Sequence, residues 1–116
     1  MANILNSSKN LTINDVYKLT MSKNTQKLSD CDGQVIELKA WAVYEDADFK
    51  TQEVKQILSL LTEEGETLAT ISDTFRRDFL SIVELCEAYG QELKKIRIVT
   101  GTSKNNRKFV TCELAE

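Results

Sequence analysis

Histidine and proline are both absent from the 116 residues, and only four residues are glycine. Without histidine the chain lacks the usual general base at neutral pH and the commonest metal ligand. Without proline, and with so little glycine, neither a flexible linker nor a collagen-like repeat is expected. The three cysteines, Cys31, Cys86 and Cys112, are odd in number and widely spaced. Such a set makes neither a disulfide framework nor a zinc site. Reduced thiols are expected, with Cys86 and Cys112 as small apolar core residues. No apolar run approaches the ~20 residues of a membrane span. The N-terminus also lacks the apolar stretch of a secretory signal. These absences lead to an expectation of a cytoplasmic, non-enzymatic chain with no cofactor and no membrane partner.

What is present suits one domain, since a chain of this length buries a core without disulfides or metal. The formal charge of -3 argues against a protein that is cationic all over. It leaves room for a local basic surface, because binding follows charge distribution as well as total charge.

The first eleven residues are polar apart from Ile4 and Leu5, and are expected to be a flexible end, with a single domain over residues 12–116. Thr12 and Asp15 have capping-box spacing, with Asp in place of Glu, and the spacing predicts a short helix over Ile13–Met21. Asp32-Gly33 is a turn signal. From Gln34 the period falls to two: Ile36, Leu38, Ala40, Ala42 and Tyr44 alternate with Glu37, Lys39, Trp41 and Val43. Strict alternation predicts a strand with Trp41 on the face opposite the small residues. Val54–Thr62 is a second apolar run, and the turn at Glu63-Glu64-Gly65 followed by residues 67–71 favours a hairpin, with a helix over residues 51–61 as the alternative. Ser72 and Asp73 open the clearest helix, residues 73–89, whose apolar face is Phe75, Phe79, Ile82, Val83, Cys86 and Tyr89, and Gly90 supplies its stop. Residues 95–100 and Lys108–Leu114 alternate as a last pair of strands around a loop at 101–106.

The order strand, strand, strand, helix, strand, strand is that of the OB-fold. The expected fold is therefore mainly β, or α+β: an OB-fold-like five-stranded barrel with one helix between strands three and four, and a short N-terminal helix. The alternative is an open antiparallel sheet backed by one helix.

Charge is unevenly distributed along the chain. Residues 93–112 hold six basic residues, Lys94, Lys95, Arg97, Lys104, Arg107 and Lys108, and no acid. Residues 45–66 hold seven acids against two lysines. Single-stranded nucleic acid calls for cations at its phosphates and for flat groups against its unstacked bases. The candidate nucleic-acid-binding residues are Lys39, Trp41, Arg97, Lys104, Arg107, Lys108 and Phe109. Each also has a plainer reading. A basic hairpin protects an edge strand from pairing, and an aromatic side chain packs in a core.

The run Thr70-Ile71-Ser72-Asp73-Thr74-Phe75, the helix to Gly90, residues 96–100 and the segment Ser103-Lys104-Asn105-Asn106-Arg107-Lys108-Phe109-Val110-Thr111-Cys112 resemble small replication-associated single-stranded DNA-binding proteins of phages and mobile elements of Gram-positive bacteria. The resemblance implies an OB-type fold and single-stranded DNA as partner, with Ser103, Lys104, Arg107 and Phe109 facing it. Asn106 stands where a glycine is expected before the arginine, and Asn tolerates the left-handed backbone region. Replication proteins and further copies of the chain, as a homo-oligomer, are the other partners considered. A second reading takes the acidic segment as a protein-interaction module that inhibits a host enzyme by imitating DNA. A third, metal-dependent nuclease reading would rest on Asp46 and Asp48.

Overall fold

The computed structural model describes residues 3–47 and 52–115. Its elements, in chain order, are β1 (Asn3–Ser7), α1 (Ile13–Met21), β2 (Gln26–Lys27), one turn of 3-10 helix at Leu28–Asp30, β3 (Val35–Ala47), β4 (Val54–Thr62), β5 (Thr67–Thr70), α2 (Asp73–Ala88), β6 (Lys95–Thr102) and β7 (Lys108–Leu114). No helix among the described residues is long and apolar enough to cross a membrane.

The sheet order is β2-β5-β4-β3-β6-β7, with β1 joined to β3. β3, β4 and β5 are successive antiparallel neighbours, and the chain then crosses over through α2 so that β6 lies beside β3. Spatial order β6-β3-β4-β5 is a Greek key, the connectivity from which OB barrels are built. The result is mainly β, a curled mixed sheet consistent with an OB-like fold. Two details differ from the expected five-stranded barrel. The described residues form a sheet of seven strands, because β1 and β2 add to it, and β2 runs parallel to β5. Also, no ladder among the described residues joins β5 to β7, so the curl stays open.

Residues 3–7, expected to belong to a flexible end, form a strand instead. β1 pairs antiparallel with Ala42–Glu45 of β3. Four of its five side chains are exposed, so backbone hydrogen bonds to a free strand edge hold it rather than apolar burial.

Strand β3 is bulged. Leu38 faces Thr62 and Ala40 faces Leu61, which leaves Lys39 as one extra residue. A bulge of this kind bends a strand and reverses the phase of its side chains. Before it, Ile36 and Leu38 point into the main core; after it, Trp41 and Val43 do. Ala40 and Ala42 turn to the other face, where they meet Leu19 of α1 and Leu61. The alternation read from the sequence continues straight through Lys39, so it assigns Trp41 to the wrong face.

The main core lies between the curled sheet and α2, with Leu58, Leu60, Phe75, Phe79, Ile96 and Ile98 fully buried. Trp41 meets Phe79 edge to face, with ring centroids 5.4 Å apart at 77°. Phe79 also stacks on Phe75 at 6.3 Å. Ser72 caps α2 by accepting the Phe75 N–H at 3.2 Å. At the far end Gly90 (φ 67) donates to Glu87 and Gln91 donates to Cys86, the paired bonds of a Schellman stop. Tyr89, expected on the buried face of this helix, is 78% exposed because it sits at that stop.

Helix α1 covers the other face of β3 and β4. The capping box is formed in full: Thr12 accepts the Asp15 N–H, and Asp15 accepts the Thr12 N–H, both at 3.1 Å. That backbone bond, aided by Lys39 at 3.4 Å, holds the buried Asp15 carboxyl below its ordinary range. On the opposite side of the molecule, Thr111 donates to Asp78 and so ties β7 to α2. Burial, and the charge of Asp78, push the Cys112 thiol up to about 12.

Candidate nucleic-acid interface

β6 and β7 form a hairpin in register from Ile96↔Leu114 to Thr102↔Lys108. Period-two alternation sorts their side chains. Ile96, Ile98, Val110 and Cys112 enter the core. Lys95, Arg97, Val99 and Gly101 of β6, with Phe109 and Glu113 of β7, make the outer face, while Thr111, in the same phase, is turned to Asp78 of α2 at the edge of the sheet.

The loop is shorter than the sequence suggests, because β6 continues through Gly101 to Thr102. Asn106 donates to the Ser103 carbonyl at 3.0 Å, and Ser103 donates to the Arg107 carbonyl at 2.8 Å. Asn106 itself is left-handed, with φ 58. A turn closed by one left-handed residue is a standard three-residue hairpin connection, in which asparagine here does what glycine usually does. The Ser103 hydroxyl accepts the Arg107 N–H at 3.3 Å and steadies the same turn.

The basic residues are not equivalent. Arg97 lies opposite Glu113 and donates to it at 3.2 Å. Lys95 lies opposite Glu37, 4.0 Å away. Lys104, Arg107 and Lys108 are all exposed, and none has an ion-pair partner among the described residues. Lys94, just before β6, is exposed and likewise has no ion-pair partner among the described residues, so three of the hairpin segment's four cations of that kind gather at its tip. Phe109 stands beside it, 39% exposed, on the same outer face as Arg97.

Lys39 and Trp41 lie elsewhere. β6 pairs with β3 only over Val35–Glu37. Lys39 is beyond that ladder, at the start of β6, so roughly 25 Å of strand separates it from the hairpin tip, at about 3.3 Å per residue. Its ammonium is engaged by Asp15 on α1. Trp41 is 6% exposed and packed against Phe79, which leaves no ring face on which a base can stack. Tyr44, on the same strand, is buried as well. Trp41 and Lys39 instead border a cleft of about 470 Å³ between the bulge, Ser8, Lys9 and the end of α2. Glu87 and Glu92 also line that cleft, so its charge is mixed.

Two contributors escape a reading of the sequence. Gly101 lies directly opposite Phe109 within the ladder, and a glycine inside a strand is the usual sign of a close approach. Asp32 reaches across from the turn before β3 and accepts the Thr100 N–H at 2.9 Å. Together with the bond from Gly33 to Ile98, this pins the outer half of β6. No group of three or more His, Cys, Asp or Glu among the described residues is placed to hold a metal ion. Asp48, one of the two carboxylates of the nuclease reading, lies outside the described residues.

No curated protein and no solved structure matches the chain. A family model does: the phage single-stranded DNA-binding protein family, over residues 11–115. That span runs from the residue before the α1 cap to the end of β7, and so covers both helices, the Greek key and the whole basic hairpin. The chain belongs to the phage single-stranded DNA-binding protein family.

Proposed function

We propose that the chain is a non-catalytic protein that binds single-stranded DNA without sequence preference during phage DNA replication or recombination, in the cytoplasm of a bacterial host. The observation that carries the reading is the tip of the β6–β7 hairpin, where Lys104, Arg107 and Lys108, without ion-pair partners among the described residues, lie close in the chain to an exposed phenylalanine. Lys104, Arg107 and Lys108 neutralise successive phosphates. Phe109 stacks an unpaired base, a contact typically worth ~1–3 kcal/mol. Arg97 contributes less, since Glu113 already shares its charge. Lys39 and Trp41 belong to the fold that supports the hairpin rather than to the contact surface. Neither phosphates nor stacked bases carry sequence information here, so binding is general. A protein of this kind coats a strand in several copies and works beside replication proteins.

The test is a titration of fluorescent oligothymidine at low and moderate salt, with duplex DNA of the same length as competitor. The expected result is binding that weakens as salt rises and that duplex competes poorly, with little quenching of the buried Trp41. No binding at low salt, or equal competition by duplex, contradicts the proposal. It would turn attention to a protein partner for the acidic segment at residues 45–66.

A further inference from the structure

We infer that Gly101 is a positioning residue for Phe109, and that the pair forms a single platform for one unstacked nucleobase. The inference rests on the reading of the hairpin as the DNA-binding surface. A Cβ at position 101 would lie 2.6 Å from Phe109 Cζ and 2.9 Å from Cε1. Both distances are shorter than packed carbon atoms tolerate. The far edge of the ring therefore occupies the space that any other residue would fill with its own side chain. Backbone conformation does not explain this glycine, because Gly101 is not among the residues of positive φ. The requirement is room for the ring.

The arrangement follows from the ladder. Gly101 and Phe109 are direct cross-strand partners on the outer face, and an aromatic ring laid over an opposing glycine covers backbone that would otherwise be open to water. The ring is held down on one side by the Gly101 backbone and remains 39% exposed. Asp32 fixes the strand beneath through the Thr100 N–H. A ring whose edge is fixed loses less freedom when a base stacks on it than a ring that swings free. Arg107 has the phase of the ring and Lys104 sits at the turn beside it, so a base on Phe109 has a phosphate within reach of one of them, whereas Lys108, in the phase of Thr102 and Val110, projects from the opposite face.

A methyl group at position 101 lifts the ring without breaking the ladder, since an exposed ring yields more readily than a strand. The experiment is a double-mutant cycle with Gly101→Ala, Phe109→Ala and the double variant, scored by oligothymidine affinity and thermal midpoint. Phe109→Ala is expected to weaken binding about tenfold, from the loss of one stacked base. Gly101→Ala is expected to weaken it about fivefold at an unchanged midpoint, and the double variant to be no weaker than Phe109→Ala alone. The free protein gives a second readout, independent of affinity. The Gly101 Hα resonances are expected to be shifted upfield by the ring and to return to ordinary positions in Phe109→Ala. Wild-type affinity in Gly101→Ala, losses that multiply in the double variant, or unshifted Hα resonances overturn the role of Gly101 while leaving the hairpin reading intact. Wild-type affinity in Phe109→Ala overturns the platform as a whole. If the Lys104 and Arg107 variants also keep full affinity, the hairpin reading falls with it.

Discussion

Reversing both charges at the hairpin tip, Lys104→Glu together with Arg107→Glu, weakens oligothymidine binding about a hundredfold at low salt, through the loss of two phosphate contacts and the gain of repulsion. The plot of log affinity against log salt flattens by roughly 1.4, at about 0.7 per lost contact on single strands. Stability changes little, because both side chains are exposed and neither has an ion-pair partner among the described residues. The turn itself depends on Asn106 and Ser103, which the variant leaves in place. The same reversal at Arg97 and Lys95 has a smaller effect on binding, since Glu113 and Glu37 already offset those charges. Salt titrations of the two double variants side by side make the comparison. Equal losses in both would mean that the whole outer face binds DNA, rather than the tip.

Phe79→Ala is expected to cost about 3–5 kcal/mol of folding free energy, the range for removing a large aromatic side chain from a core. Phe79 is fully buried and joins two parts of the molecule: α2, where it stacks on Phe75 one turn earlier, and the bulged strand, through Trp41. Its loss opens a cavity beside Trp41, so tryptophan emission moves to the red as water gains access. Binding per folded molecule stays at the wild-type level, because Lys104, Arg107 and Lys108 are exposed and lie outside the core cluster that holds Phe79. Denaturant unfolding followed by tryptophan emission gives the stability, and a titration well below the midpoint gives the affinity. A loss under about 1 kcal/mol would mean that the core collapses around the gap or that the Trp41–Phe79 contact matters little.

These two variants separate what the sequence discloses from what it hides. Strand β7 and helices α1 and α2 are legible because each carries its own periodic pattern, a cap or a glycine stop, whereas β4 is an unpatterned apolar run that only the turn at Glu63-Glu64-Gly65 tips toward a strand. β1 is not legible, since its residues Asn3–Ser7 stay exposed and its hold on β3 is made by backbone groups common to every residue. The bulge at Lys39 is hidden for a different reason. One extra residue leaves no mark in composition, and the apolar alternation runs through it unbroken, so Trp41 is read onto the solvent face when it lies in the core. The basic tip is legible as a run of charge. The quenching of Arg97 is not, because Glu113 is 16 residues away and meets it only through the ladder. Asn106 is a middle case: asparagine's tolerance of left-handed backbone makes the turn foreseeable, and only the structure gives its three-residue form.

The most direct test is amide chemical-shift mapping of the protein with and without oligothymidine. The largest shifts are expected at residues 101–109, with smaller ones along the outer face of β6 and β7 and almost none on α1 or around Trp41. Shifts concentrated instead at the cleft beside Lys39 and Trp41, with a silent hairpin tip, would contradict the assignment of the β6–β7 hairpin as the DNA-binding surface.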